Sequence, residues 1–307
     1  MPEMKNPESA EQQIPQMPQA MPKQYNFNPD PTAQKVNPLK QYFRRPAIHL
    51  RLPSGTNFYK PNEVSYSPTG ELPVFPMTAI DEITAKTPDA AFNGTAVADI
   101  IHSCIPTIED PWAITTIDLD SILVAIRLAS LGEMMEIISK CAKCDNESDY
   151  QINLVNVLQS LVAGDYKKPL VIDSLEIKFK PLRYDMINDI AQKQYTIQKS
   201  IRNASDIEDT EKSAELQADI LKEINKLTLG IVLASIEWIR TPDSVVTEPE
   251  YIAEFLQNCQ RADFDAISKH GVTLREPSQI KPVKLKCTEC EHEYDQPYTV
   301  NPSDFFA

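Results

Sequence analysis

Cys141-Ala-Lys-Cys144 and Cys287-Thr-Glu-Cys290 are the residues of this chain whose type and spacing could do chemistry. A C-x-x-C turn brings two sulfurs to one side of the backbone. Two such turns can supply four thiolates to one tetrahedral Zn²⁺ at about 2.3 Å. The flanks support the pairing, because Asp145-Asn-Glu-Ser-Asp149 follows the first knuckle and Glu291-His-Glu-Tyr-Asp295 the second. A zinc held by Cys141, Cys144, Cys287 and Cys290 would tie the middle of the chain to its C-terminal region. With four sulfurs it would have no open position for water, so its role would be structural.

Other readings of the same cysteines are weaker. A redox C-x-x-C sits at a helix N-terminus that lowers its pKa. Here Cys141 is expected to follow a helix. Four ordinary thiols are the remaining alternative. His292 beside a complete set of cysteines reads as a supporting or solvated residue. Cys104 and Cys259 fall on expected apolar helix faces, where packing explains them. Enzyme signatures are missing: there is no H-E-x-x-H, Walker loop, G-x-S-x-G or dinucleotide fingerprint. Asp81-Glu82 and Asp118/Asp120 read as helix starts. The chain is therefore expected to have no catalytic residues.

Composition narrows the partners. The 307 residues carry a formal net charge of −14, with seven glycines and twenty-five prolines. A phosphate backbone or an anionic membrane surface needs concentrated Lys and Arg, so neither is an expected partner. No apolar run approaches the roughly 18 residues that span a bilayer. The N-terminus has no apolar core of the signal-peptide kind. Six cysteines in a chain of this length suit a reducing compartment and a metal better than a disulfide framework.

The elements that must position the knuckles can be read in order. Residues 1–41 are rich in Pro, Gln and Asn and are expected to be a disordered arm. It is either a plain solvated tail or a strap for a neighbouring subunit, with Tyr25, Phe27, Tyr42 and Phe43 as anchors. Residues 46–307 are expected to form one mixed, mainly helical α+β domain. Its first part, to residue 76, is a small irregular β region, with Ile48, Leu50 and Leu52 alternating and Pro73 confining its strand to an edge. Helices follow: a short one capped by Thr78 or Asp81, then one capped by Asp89 with Phe92 and Val97 on its stripe. The strongest starts at Asp118 or Asp120 and is expected to run past Ile138 into Cys141. Arg127 lies on its apolar side, either with its head in solvent or paired with Asp81, Glu82 or Asp118.

Beyond the first knuckle a strand over 150–154, a short helix over 153–161 and a hairpin turning at Asp173-Ser174 are expected. Tyr184 to Arg202 and Thr210 to Ile239 read as an antiparallel helical hairpin. A helix from Pro249 to Cys259 and a shorter one over Asp263–Lys269, with Gly271 as C-cap, come next. Val283 and Leu285 enter the second knuckle as a strand, and Tyr298 and Val300 suggest the returning one. Phe305 and Phe306 either tuck into the core or dock on a neighbour.

Taken together, certain runs resemble the T4-type bacteriophage baseplate hub family. They are Leu50-Arg-Leu-Pro-Ser-Gly55 with Phe58-Tyr59, Leu72-Pro-Val74, Pro76-Met-Thr78 with Asp81-Glu82, and Pro88-Asp89. Asn93-Gly94, Ser103-Cys104, Asp118-Leu-Asp120, and Ile126-Arg127 with Ser130-Leu-Gly132 continue the likeness into Cys141-x-x-Cys144. Cys287-x-x-Cys290 and Phe305-Phe306 extend it to the C-terminus. The resemblance implies a structural protein of a contractile tail, present in multiple copies in the virion, assembled in the host cytoplasm, and contacting other baseplate and tail proteins. The sequence departs from the usual knuckle where Asp145 and Glu291 replace the glycine that often follows the second cysteine. Glu tolerates left-handed geometry less well than Asp. The alternative function is a zinc-ribbon accessory factor in transcription or replication, with Lys281, Lys284 and Lys286 as its basic cluster.

Overall fold

A computed structural model describes residues 37–87, 94–205 and 210–297. The chain divides into two units, Met1–Phe43 and Arg44–Ala307. Over its described residues the first unit has one 3-10 turn, Pro38–Tyr42, in which the Leu39 N–H donates to Asn37 Oδ1. Tyr42 and Phe43 are exposed. Tyr25, Phe27, Phe305 and Phe306 lie outside the described residues.

The second unit is α+β, with eight α-helices and ten strands among the described residues. Arg44 fixes its beginning: the guanidinium donates to Pro76 O and Ser103 O, both at 2.6 Å, and pairs with Asp81 at 3.3 Å. β1 (Ile48–Leu50) and β2 (Leu72–Val74) form a two-stranded antiparallel sheet in which Pro73 faces His49. A two-stranded sheet has only edges, so the missing Pro73 N–H is tolerated. α1 (Ala79–Ala85) starts from a capping box between Thr78 and Asp81. α2 (Thr95–Cys104) starts at Gly94, whose φ of 78° suits glycine. The expected Asp89 cap and Phe92 lie outside the described residues.

α3 (Leu119–Leu131) is nearly enclosed, with Ile122 and Ile126 fully buried against Leu72, Ile100, Ile101 and Leu154 in the first core cluster. It does not run into Cys141 as expected. Gly132, at φ 92°, ends it. β3 (Met134–Lys140) takes over, alternating between exposed Met134 and Ile138 and buried Met135 and Ser139. β4 (Glu147–Asn153) pairs with β3, and α4 (Leu154–Ser160) follows from an Asn153 cap.

The second core cluster lies under a four-stranded antiparallel sheet of β5 (Leu170–Ile172), β6 (Leu175–Phe179), β7 (Ile236–Arg240) and β8 (Val245–Val246). Ile177, Phe179, Ile236 and Ile239 form its floor. The residues over 236–239, expected to be helical, are therefore an inner strand. α5 (Tyr184–Ser205) and α6 (Thr210–Ser235) form the expected helical hairpin. α7 (Pro249–Asn258) has Pro249 in its first turn, and α8 (Arg261–Arg275) closes the cluster with Ile267 and Leu274.

Gly271 is interior to α8 rather than its cap. A Cβ there would meet the Phe179 ring at 3.4 Å, so glycine admits the ring. Gly164 is tighter still, since a Cβ would lie 2.2 Å from the Leu274 carbonyl oxygen. Backbone cannot yield as a side chain can, so Gly164→Ala is expected to cost about 2–3 kcal/mol in urea denaturation, at the upper end for overpacking. An unchanged midpoint would show that the α8 end can move.

Candidate metal centre

Two hairpins position the four thiols. In β3–β4 the last strand pair is Lys140↔Glu147. β9 (Val283–Lys286) and β10 (Glu293–Gln296) end the same way, with Lys286↔Glu293. Each hairpin then closes with a six-residue loop, 141–146 or 287–292. The loops share their backbone bonds. Cys141 N–H donates to Asn146 O at 2.8 Å and Asp145 N–H to Cys141 O at 2.9 Å. Cys287 N–H donates to His292 O at 2.9 Å and Glu291 N–H to Cys287 O at 3.1 Å.

The residue after each second cysteine turns left-handed, Asp145 at φ 58° and Glu291 at φ 55°. Glycine would occupy that position without a Cβ clash; here both acids accept it. Each also meets the lysine that precedes its knuckle, Lys140–Asp145 at 3.0 Å and Lys286–Glu291 at 3.4 Å. These pairs are exposed and add little energy, but they make the two loops near copies of one another. The return strand is 293–296; Tyr298 and Val300, expected to form it, lie outside the described residues.

The loops meet face to face. Cys141 Sγ lies 3.7 Å from Cys290 Sγ, and Cys144 Sγ 3.6 Å from Cys287 Sγ. All four sulfurs lie within 4.8 Å of one another. A tetrahedron of thiolates bonded at about 2.3 Å has edges of about 3.8 Å, so the donor set fits a four-coordinate metal. Cys141 and Cys287 are buried, Cys290 is half-buried and Cys144 is exposed. Backbone N–H groups of Cys290 and Glu289 hold the Cys287 thiol down to about 6. The Asn146 N–H also lowers Cys144, but contact with Cys290, burial and the other sulfurs outweigh it and push Cys144 up to about 12.

Around the sulfurs the contact between hairpins is polar. Ser139 Oγ donates to Gln296 Oε1 at 2.6 Å and lies 3.0 Å from the Tyr294 hydroxyl. Ser148 Oγ lies 2.9 Å from Thr288 Oγ1, and the Tyr150 hydroxyl donates to Lys286 O. His292 stacks beside Tyr294, and the metal-capable group is made of cysteines alone. Among the described residues no other group of three or more His, Cys, Asp or Glu gathers in this way. Cys104 is buried on α2, as expected. Cys259 caps α7 and turns its thiol to Leu256 O.

Two acids read as helix starts do more than that. Asp120, in the first turn of α3, accepts the Ile280 N–H at 3.2 Å and so seats the segment leading to the second knuckle. Asp118 makes no capping bond. It is fully buried and accepts from Ser54 N–H at 2.9 Å, Ser54 O–H at 2.5 Å, Tyr59 O–H at 2.5 Å and Thr115 O–H at 3.2 Å. Burial raises its pKa and the four donors offset part of that rise. Spacing along the chain carries no signal for this cluster, because Ser54 and Tyr59 reach it from another element.

Among the described residues no helix is long and apolar enough to cross a membrane. Comparison with curated proteins and with solved structures finds no match. A family model described as T4 bacteriophage base plate protein matches residues 76–307, which include α1 to α8 and both cysteine knuckles. The chain belongs to the T4 bacteriophage base plate protein family.

Proposed function

We propose that this protein is a non-enzymatic adaptor in a contractile-tail baseplate, clasped by one structural zinc on Cys141, Cys144, Cys287 and Cys290. The observation that carries the reading is the meeting of two like hairpins at four thiols within a chain of baseplate family. Zinc is the fitting ion because an all-thiolate tetrahedral set favours a soft-tolerant metal without a geometric preference of its own. When bound it supplies a cross-link and folding energy. The four sulfurs fill its coordination, so no water is activated there.

In this reading residues 46–307 form the body and residues 1–41 an arm. Tyr25 and Phe27 of the arm, Tyr42 and Phe43 directly after it, and Phe305 and Phe306 contact other baseplate and tail proteins in several copies per virion. Cross-linking mass spectrometry on purified tails tests this. Links from residues 23–45 to a different tail protein are expected, and links confined to this chain would remove the arm from the reading.

The ribbon-like hairpins invite a nucleic-acid reading, and the register weighs against it. Lys284 and Lys286 face Asp295 and Glu293 directly across β9–β10. Two of the three lysines thus stand opposite carboxylates, within a chain of net charge −14. No electrophoretic shift of duplex or single-stranded DNA is expected at physiological salt. A shift at low micromolar protein would favour the accessory-factor reading instead.

A further inference from the structure

Among the described residues the helical hairpin α5–α6 leaves one face open. Along it runs a groove of about 720 Å³ whose floor includes Ile190, Ile197, Ile220 and Leu227. Two packed helices bury only the stripe between them, and a third or fourth helix is the usual cover for such a groove. The rim suggests which cover. Lys193 and Asp189 stand on the α5 side, Glu223 and Lys226 on the α6 side.

Their heights match. Lys193 lies twelve residues before Ser205, and twelve residues after Thr210 comes Lys222, next to Glu223. Asp189 lies sixteen before Ser205, and sixteen after Thr210 comes Lys226. Lys222 is not among the residues lining the groove and pairs with Asp219, so at these two levels the rim residues, Lys193 with Glu223 and Asp189 with Lys226, carry opposite charges on the two helices. Asp189 and Lys193 pair within α5 at 2.6 Å while staying mostly exposed. Among the described residues Glu223 and Lys226 have no ion-pair partner.

We propose that the groove is the docking surface for a second copy of this chain, the two hairpins forming a four-helix bundle about a twofold axis along their length. In that arrangement α5 of each copy lies against α6 of the other, and heights are preserved. Lys193 then meets Glu223 of the second copy, Asp189 meets its Lys226, and symmetry repeats both pairs. A surface that complements itself in this way fits its own copy better than an arbitrary partner. A hairpin face about 20 Å wide and about 30 Å long buries roughly 600 Å² per copy, at the low edge of specific interfaces. Contacts of this size include weak and transient ones, so reversible dissociation within the concentration range of sedimentation is expected.

The test uses the full chain and two exposed substitutions, Lys193→Glu and Glu223→Lys, with helicity checked by circular dichroism. Sedimentation velocity of the wild type should show the mass rising from 34.6 kDa towards that of a dimer between about 1 and 100 μM. Each variant alone sets like charges opposite one another twice, so its dissociation constant should rise at least tenfold. An equimolar mixture restores opposite charges at every contact. The new acid of one variant meets the new base of the other, and the unchanged Glu223 of the first meets the unchanged Lys193 of the second. The mixture should therefore dimerise like the wild type. A wild type that stays monomeric throughout overturns the proposal and leaves the groove to a different protein. A dimer that survives both substitutions overturns it too, since its contact is then elsewhere.

Discussion

Cys287→Ser is expected to strip the protein of its metal and lower its melting temperature by about 10 °C. Little else holds the second knuckle. β9–β10 is a two-stranded hairpin, and such a unit is marginal in water. Leu285 is its fully seated apolar residue, while Val283 packs on the first core cluster only partly buried. The bonds to the β3–β4 hairpin run through hydroxyls and an amide that water could satisfy equally well. A tetrahedral metal changes that balance, because its binding free energy becomes folding free energy.

Even a fraction of the roughly 10–16 kcal/mol seen for zinc in isolated finger peptides would dominate this contact. A net loss of about 3–4 kcal/mol corresponds to about 10 °C for a domain of this size. Amide exchange of 283–286 and 293–296 should accelerate towards that of a free strand, while that of α3 should stay slow. Chelation of the wild type should reproduce the pattern. Cys259→Ser serves as the control, since that thiol lies outside the cluster, and should keep the full metal content. If Cys287→Ser retained its metal or its melting temperature, the clasp would not be what secures the C-terminal hairpin.

Asp118→Ala is expected to destabilise the second unit by roughly 3–5 kcal/mol in urea denaturation, each buried unsatisfied donor contributing about 1–3 kcal/mol. The carboxylate accepts from one amide and three hydroxyls, and Ser54 and Thr115 are themselves buried. Alanine leaves those donors without their acceptor. Asp118→Asn keeps the shape but offers one acceptor oxygen and turns an amide group towards donors, so about half the loss is expected. The same cluster sets a pH dependence. Burial raises the folded-state pKa of Asp118 above 3.8, so the folded chain holds that proton more readily than the unfolded one. The proton-linked part of its contribution is then fully present below pH 3.8 and is lost as pH rises through the folded value, while the four hydrogen bonds to the carboxylate persist above it. Asp118→Asn should flatten that part of the stability profile. Equal denaturation midpoints for wild type and Asp118→Ala would show the hydroxyls to be satisfied by water.

The cluster of four cysteines is legible in the sequence because its signal is chemical and local. Two C-x-x-C turns with matching flanks announce themselves without knowledge of the fold. Even the left-handed turns at Asp145 and Glu291 can be anticipated from the glycine they replace. The elements leading in are harder. Ile122, Ile126 and Ile138 satisfy a helical stripe, while Met135, Ile137 and Ser139 satisfy a strand just as well. Gly132 decides between them, and a glycine inside an apolar run is easily read through.

Ile236–Arg240 escapes a pattern reading for a related reason. Ile236 and Ile239 stand three residues apart directly after a long helix and continue its apolar stripe, and only the pairing with β6 makes the segment a strand. Gly271 looks like a helix end because its role, making room for Phe179, depends on a contact 92 positions away along the chain. Arg44 and Asp118 lie beyond reach of pattern altogether. Their partners, Ser103 for one and Ser54 and Tyr59 for the other, come together only in the folded chain.

X-ray absorption at the zinc edge on the purified, unsupplemented protein would test the clasp most directly. One zinc per chain with four sulfur neighbours at about 2.3 Å, and no oxygen or nitrogen in direct contact with the metal, is the predicted result. Protein purified without stoichiometric zinc, or a zinc bearing a light-atom ligand in place of a thiolate, would contradict it.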